Sequence, residues 1–187
     1  RPLEGAGAVI RARVEKRGDR LTFDFEASSD QASTPANIRP PTVRAACAYV
    51  VIALTDPRQP VNAGVLDAFD LRTRSGSILD PRHPAPVNTY NATVHAVINA
   101  AFEAIGRIAP GAARADGSDS RSLLFGLPAG AEGRSYVQYE IFAGGTGARG
   151  GLDGLTGCHV NQTNGRIAPI EVVETEFPVR IERFEPI

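Results

Sequence analysis

The chain has 187 residues, 42% hydrophobic and 22% charged, the balance of an ordinary globular domain and far from a disordered or membrane-embedded composition. Its 20 basic and 21 acidic side chains nearly cancel and form no block of one sign, so the electrostatic footprint of a nucleic-acid or anionic-membrane binder is absent. The length predicts one domain over 1–187, and the longest apolar stretch, 45–54, is too short to span a bilayer. Cys47 and Cys158 are the only cysteines and lie far apart, which fits neither a zinc motif nor a disulfide scaffold; a reducing cytoplasm is the expectation. There is no Met, so Arg1 is not an initiator, and a cleaved product or a piece of a longer polypeptide is expected.

In chain order, residues 8–14 and 21–25 alternate around Arg17-Gly18-Asp19, which predicts a β-hairpin. A Ser-, Pro- and Asn-rich segment, 28–41, precedes an Ala-rich apolar run, 43–54, whose length and stop at Asp56-Pro57 predict a mostly buried helix. Short β-like pieces follow in 66–79, broken by Ser75-Gly76-Ser77, and 80–86 carries three prolines that require an extended or turned chain. Val94, Val97, Ile98, Ala101, Phe102 and Ile105 are spaced for one helical face, predicting a helix over 91–108 with Pro110-Gly111 as its stop. Residues 112–121 read as an exposed loop, 136–142 as a strand, and 171–175 and 178–184 as further strands. The fold class is therefore α+β, with strands clustered at both chain ends, packed with two main helices, and glycine-rich loops.

The glycine run at 144–157 is the least ordinary part of the chain. Glycines expose backbone N–H groups to an anion, so Gly144, Gly145 and Gly147 are candidates for ligand contact. A P-loop would need a Lys after its glycines, whereas the only Lys is Lys16, and a dinucleotide fingerprint would need a helix to follow directly. The structural alternative is a tight loop that uses glycine for backbone geometry, and it is slightly favoured. Arg149 is the one residue of the run able to clamp a carboxylate or phosphate in bidentate fashion, although a loop Arg more often pairs with a nearby Asp.

His83, His95 and His159 have no metal-site spacing. His159 stands before Asn161, Gln162, Thr163 and Asn164, the densest cluster of side-chain donors and acceptors; the competing reading is a turn whose side chains satisfy its own backbone. Cys158 and His159 are chain neighbours that point apart, so a cysteine nucleophile is rejected, and no G-x-S-x-G elbow supports a serine one.

The stretch from Gly144 to Glu171, GGTGARGGLDGLTGCHVNQTNGRIAPIE, resembles the GxGAR, DG, GxH, TN and PxE segments of the hydantoinase B, 5-oxoprolinase and acetone/acetophenone carboxylase family. Asn37 followed by Pro40-Pro41, Val61-Asn62-Ala63-Gly64, Gly76-Ser77-Ile78-Leu79-Asp80-Pro81 and Pro178-Val179-Arg180-Ile181-Glu182-Arg183 look like further family segments in family order. Nearly the whole chain is covered. Where many relatives have a second His two residues after the first, this chain has Asn161.

The resemblance implies the C-terminal portion of a B-type subunit, without the N-terminal portion that holds the family's metal-binding His and Asp residues. It implies an ATP-dependent, multi-subunit hydrolase that opens cyclic amides such as hydantoin, oxoproline or lactam rings, with a ketone carboxylase or a purely structural subunit as alternatives. The implied partners are a hydantoinase A-type subunit with an actin-like ATP site, the N-terminal part of the B-type subunit and a small-molecule substrate. No cofactor is expected on this chain, while ATP, Mg and a divalent metal, Zn or Mn, are expected in the rest of the complex. Arg149 and His159 become the catalytic candidates, Gly144, Gly145, Gly147, Arg149, Asn161 and Asn164 the substrate-binding ones, and the isolated chain is expected to be inactive.

Overall fold

The computed structural model describes residues 1–3, 7–118, 121–128, 135–142, 144–159, 163 and 165–185. They fall into two units, Arg1–Ala115 with Arg149–Leu152, and Asp116–Ala148 with Asp153–Ile187.

The first unit opens with a short antiparallel pair, β1 (Pro2–Leu3) and β2 (Ala8–Val9). The expected hairpin is present as β3 (Arg13–Arg17) and β4 (Arg20–Asp24), antiparallel, joined through Gly18 and Asp19. It starts later than the alternation suggested. Residues 9–11 are occupied elsewhere: the Val9 and Arg11 amides donate to the Ser29 and Ser28 hydroxyls, at 2.9 and 3.1 Å.

Helix α1 (Pro40–Leu54) begins three residues before the expected start because Pro40 and Pro41 fill its first turn, where a missing N–H costs nothing. Val43, Ala46, Cys47 and Val50 form its buried stripe, and Thr55 with Pro57 close it. Next comes the short helix α2 (Ala63–Asp67), capped by the Asn62 side chain, which accepts from the Val65 amide at 3.2 Å. Leu66, expected in an extended piece, lies in this helix. Strand β5 (Phe69–Arg72) then pairs in parallel with β4, Leu21 opposite Phe69 and Phe23 opposite Leu71. Parallel neighbours need a long crossover, and α1 with α2 supply it.

The three-stranded sheet is two-faced. Phe23 and Phe69 are buried and meet edge to face, centroids 5.4 Å apart at 86°, while Arg13, Glu15, Thr22, Asp24 and Arg72 share the opposite, polar side. Helix α3 (Asn91–Ile108) matches its expected bounds, and Val97 and Ala101 on it are fully buried. It packs on α1, Phe102 meeting Tyr49 edge to face at 6.1 Å. A single 3-10 turn at Pro110–Ala112 ends it where Pro110-Gly111 was expected to stop it.

The second unit contains β6 (Arg121–Leu127) and β7 (Tyr136–Phe142), paired antiparallel with Phe125 opposite Gln138. β7 has its expected bounds, whereas β6 carries no alternating pattern and was not anticipated. Residues 171–175, expected as a strand, belong instead to the helix α4 (Ile170–Glu176). Ile170, Val173 and Phe177 recur at three and four residues, a helical spacing that two turns are too short to separate from alternation. Residues 178–184, also expected as a strand, form none. The α+β class stands: two groups of strands, separated along the chain by the two long helices and followed by glycine-rich loops, with a fold that also matches a solved relative described below.

Candidate functional site: the glycine-rich ribbon and its flanks

The glycine run folds back on itself as a narrow ribbon. Gly145 bridges Thr156, the Thr146 amide donates to the Leu155 carbonyl at 2.9 Å, and the Leu155 amide donates to the Thr146 hydroxyl at 3.0 Å. Gly145 is held at φ 131, a conformation that L side chains rarely adopt, and a Cβ there would stand 2.7 Å from the Leu155 carbonyl oxygen. A Cβ at Gly154 would stand 2.1 Å from the Thr146 carbonyl oxygen. Side chains at either position would push the two arms apart.

A third segment packs on the same ribbon. The Ser118 amide donates to the Gly145 carbonyl at 3.0 Å, a Cβ at Gly144 would fall 1.8 Å from the Ser118 hydroxyl oxygen, and a Cβ at Gly117 would approach the Gly147 amide nitrogen at 3.3 Å. Gly144, Gly145 and Gly147 thus lie together, in backbone contact with 117–118 and, through Gly145 and Thr146, with 154–156. This is the close-approach geometry of the structural reading. The part taken by Gly117 and Ser118 was hidden in the sequence, where they stand in a small polar stretch with no sign of what they contact.

Arg149 belongs to the first unit. Its amide donates to the Leu152 carbonyl at 3.0 Å and the Leu152 amide donates back at 2.9 Å, a tight turn over Gly150 and Gly151. Arg149 also bridges Arg114, whose guanidinium stands 5.1 Å from the Phe102 ring centroid on α3. Its exposed side chain makes no ion pair among the described residues, so the guanidinium is available to an external carboxylate or phosphate.

His159 lies in the second unit, half-buried. Its Nδ1 is 3.2 Å from the Thr163 hydroxyl, and its ring lies over Gly165, where a Cβ would come within 3.3 Å of Nδ1 and Cε1. Its Nε2 is enclosed and has no hydrogen-bond partner among the described residues. An enclosed ring nitrogen without a partner is unfavourable unless something outside the described atoms bonds to it. Asn161 and Asn164 lie outside the described residues. Cys158 is half-buried and free; Cys47 is buried in α1, and burial pushes its thiol up to about 12 despite the Arg44 charge nearby.

Among the described residues no three His, Cys, Asp or Glu side chains gather into a metal-binding group. His83 is exposed beside Pro84, and His95 is buried within α3. No helix among the described residues is long and apolar enough to cross a membrane.

A family model described as hydantoinase B/oxoprolinase matches residues 2–186. The chain is 30% identical to an uncharacterized protein of Methanocaldococcus jannaschii, over 92% of this chain and 30% of that protein. It is 26% identical to a 5-oxoprolinase of Dictyostelium discoideum, over 97% of this chain and 14% of that protein, and 27% identical to 5-oxoprolinase 1 of Arabidopsis thaliana, over 95% and 13%. The chain therefore spans less than a third of the length of these relatives. Among solved structures, the ATP-dependent caprolactamase from Pseudomonas jessenii superposes with a TM-score of 0.70 at 20% identity, covering 93% of this chain and 31% of that one; the likeness is one of fold. With the family model running through both units, and the ribbon carrying the GxGAR, DG and GxH segments on which the resemblance rested, the chain belongs to the hydantoinase B/oxoprolinase family.

Proposed function

We propose that residues 1–187 act as the C-terminal portion of a B-type subunit in an ATP-dependent enzyme that hydrolyses cyclic amides. The observation that carries this reading is the family match over residues 2–186, joined to relatives whose names place them on ring-closed amides, oxoproline and caprolactam. In this proposal a hydantoinase A-type partner binds ATP and Mg and transfers the γ-phosphoryl group to the amide oxygen. The N-terminal part of a B-type chain supplies the divalent metal, Zn or Mn. Water then adds at the activated ring carbon, the C–N bond breaks, and the ring-opened amino acid, ADP and phosphate leave. Phosphorylating the oxygen gives the resonance-stabilised amide a leaving group it otherwise lacks. That is the chemical reason for coupling ring opening to ATP.

Within this scheme the Arg149 guanidinium binds a carboxylate or phosphoryl oxygen, and the His159 imidazole bonds through Nε2 to a polar group brought by substrate or partner. Gly144, Gly145 and Gly147 shape the ribbon beside the substrate, and Asn161 and Asn164 add polar contacts to it. The isolated chain, lacking the ATP site, is inactive.

The test is an assay of the source assembly with 5-oxoproline, hydantoin or caprolactam, with and without ATP. ATP-dependent release of the ring-opened amino acid from at least one of them is expected. ATP hydrolysis that instead requires a ketone and bicarbonate would replace this reading with the carboxylase one.

A further inference from the structure

The second unit has almost no interior of its own. Of the hydrophobic residues buried in the described structure, 23 form one cluster that lies entirely in the first unit, and Val173 is the single one in the second. Yet nine of the large hydrophobics that stand exposed are in the second unit, Leu124, Val137 and Tyr139 among them.

The register of β6 and β7 shows how these side chains are arranged. Leu124 lies opposite Tyr139, Gly126 opposite Val137, and Ser122 opposite Ile141, so all six point to one face. No residue on that face is charged. The other face carries Phe125, Leu127, Tyr136 and the buried Gln138. A two-stranded sheet is marginal in water by itself, and this one leaves an apolar face and both strand edges uncovered.

We infer that the outer face of β6–β7 is an interface, and that its occupant is the part of a hydantoinase B-type polypeptide that these 187 residues do not span, whether joined to this chain or carried on a second one. Length supports that choice, because the match to the M. jannaschii relative uses 92% of this chain and only 30% of that protein, leaving most of a B-type polypeptide to be placed somewhere. Chemistry supports it too: an uncharged aliphatic and aromatic face suits a permanent, core-like interface better than a polar transient one. A second copy of this chain fits less well. So small a face covers a few hundred Å² at most, short of the roughly 800 Å² per partner of a stable dimer. The inference deepens the proposed function in that it rests on the B-type partner named there, but it does not depend on the substrate.

The experiment places the photo-crosslinking residue p-benzoyl-phenylalanine at Leu124 or Val137 in the assembly purified from its source, with Val61, exposed in the first unit, as the control position. Irradiation followed by peptide mass spectrometry should give crosslinks from Leu124 and Val137, not from Val61, to B-type sequence outside residues 1–187. Crosslinks to a second copy of this chain, to an A-type chain, or no crosslink above the control would each overturn the inference. In parallel, Leu124→Ser with Val137→Ser should leave the denaturation midpoint of the isolated chain unchanged and lower recovery of the B-type partner at least tenfold. Full recovery would count against it. An assembly that crosslinks as expected but opens no cyclic amide would separate failure of the hydrolase reading from failure of this one.

Discussion

Asn37 has no exposed surface and spends its whole side chain on backbone. Its Oδ1 accepts from the Ala32 amide at 2.8 Å, and its Nδ2 donates to the Ala32, Thr34 and Pro86 carbonyls at 2.9, 3.2 and 2.8 Å. The bond to Pro86 ties the Pro-rich segment to the entry of α1. Asn37→Ala would leave these groups buried and unpaired, and the expected loss is about 3 kcal/mol from a per-group cost of roughly 1–3; a urea midpoint showing less than 1 kcal/mol would remove Asn37 as the organiser of this corner. Arg149 and His159 are predicted to affect turnover rather than assembly. Arg149→Ala and His159→Ala should each slow the assembled enzyme at least about tenfold, the scale of one lost charge-assisted contact, with its native mass unchanged. Smaller species at unaltered rate per intact complex would assign both residues to structure. Cys47 supplies a pH dependence with a definite sign. Its thiol is raised by burial from 9.0 to about 12, so the folded state disfavours the thiolate that the unfolded chain forms more readily. Its contribution is fully present below about pH 9 and is lost as pH rises toward 12. Cys47→Ala should therefore flatten the alkaline fall in stability, and an identical pH profile in the variant would contradict the assignment.

Among the elements, the sheet of β3, β4 and β5 bears most directly on stability, because its parallel pair joins residues on either side of α1. Phe23 on β4 is fully buried and meets Phe69 on β5 edge to face. Phe23→Ala should cost about 3–5 kcal/mol by lost transfer and cavity terms, and Phe23→Leu clearly less. Equal effects of the two, measured by denaturant midpoint, would mean that the aromatic contact contributes nothing beyond volume. The bounds of α3 and β7 could be read directly from the sequence, since α3 presents its apolar residues over five turns and β7 alternates over seven residues. α4 could not: seven residues with apolar positions at 170, 173 and 177 admit both periods. β6 was missed for a different reason. Leu123, Leu124 and Phe125 are consecutive and apolar, and only pairing with β7 sorts them onto two faces.

For the molecule as a whole, the distribution of buried apolar side chains predicts unequal local stability. Amide exchange in the isolated chain should be slowest in α3 and the β3–β5 sheet, where the apolar cluster lies, and at least tenfold faster in β6 and β7, which have Val173 as the only buried hydrophobic of their unit among the described residues. Uniform protection across both units would show that the second is stabilised by something other than apolar burial. Of the ribbon, its glycines and the prominence of Arg149 and His159 were legible in residue types. The contact with Gly117 and Ser118 was not, because those two reach it from 26 or more positions earlier in the chain.

The α+β class, the bounds of α3 and β7, the glycine-rich ribbon as a distinctive element and the family segments in order all followed from the sequence by itself. Each is carried by local periodicity, or by short motifs whose residue types have a backbone or chemical reason to stand where they do. The parallel pairing of β4 with β5, the helical state of α4, the partners of Asn37, the Arg149 bridge to Arg114 and the enclosure of the His159 Nε2 were decided only by tertiary structure. A local pattern records which face of a segment is apolar; which distant segment covers that face, or satisfies a buried donor, depends on where the chain returns.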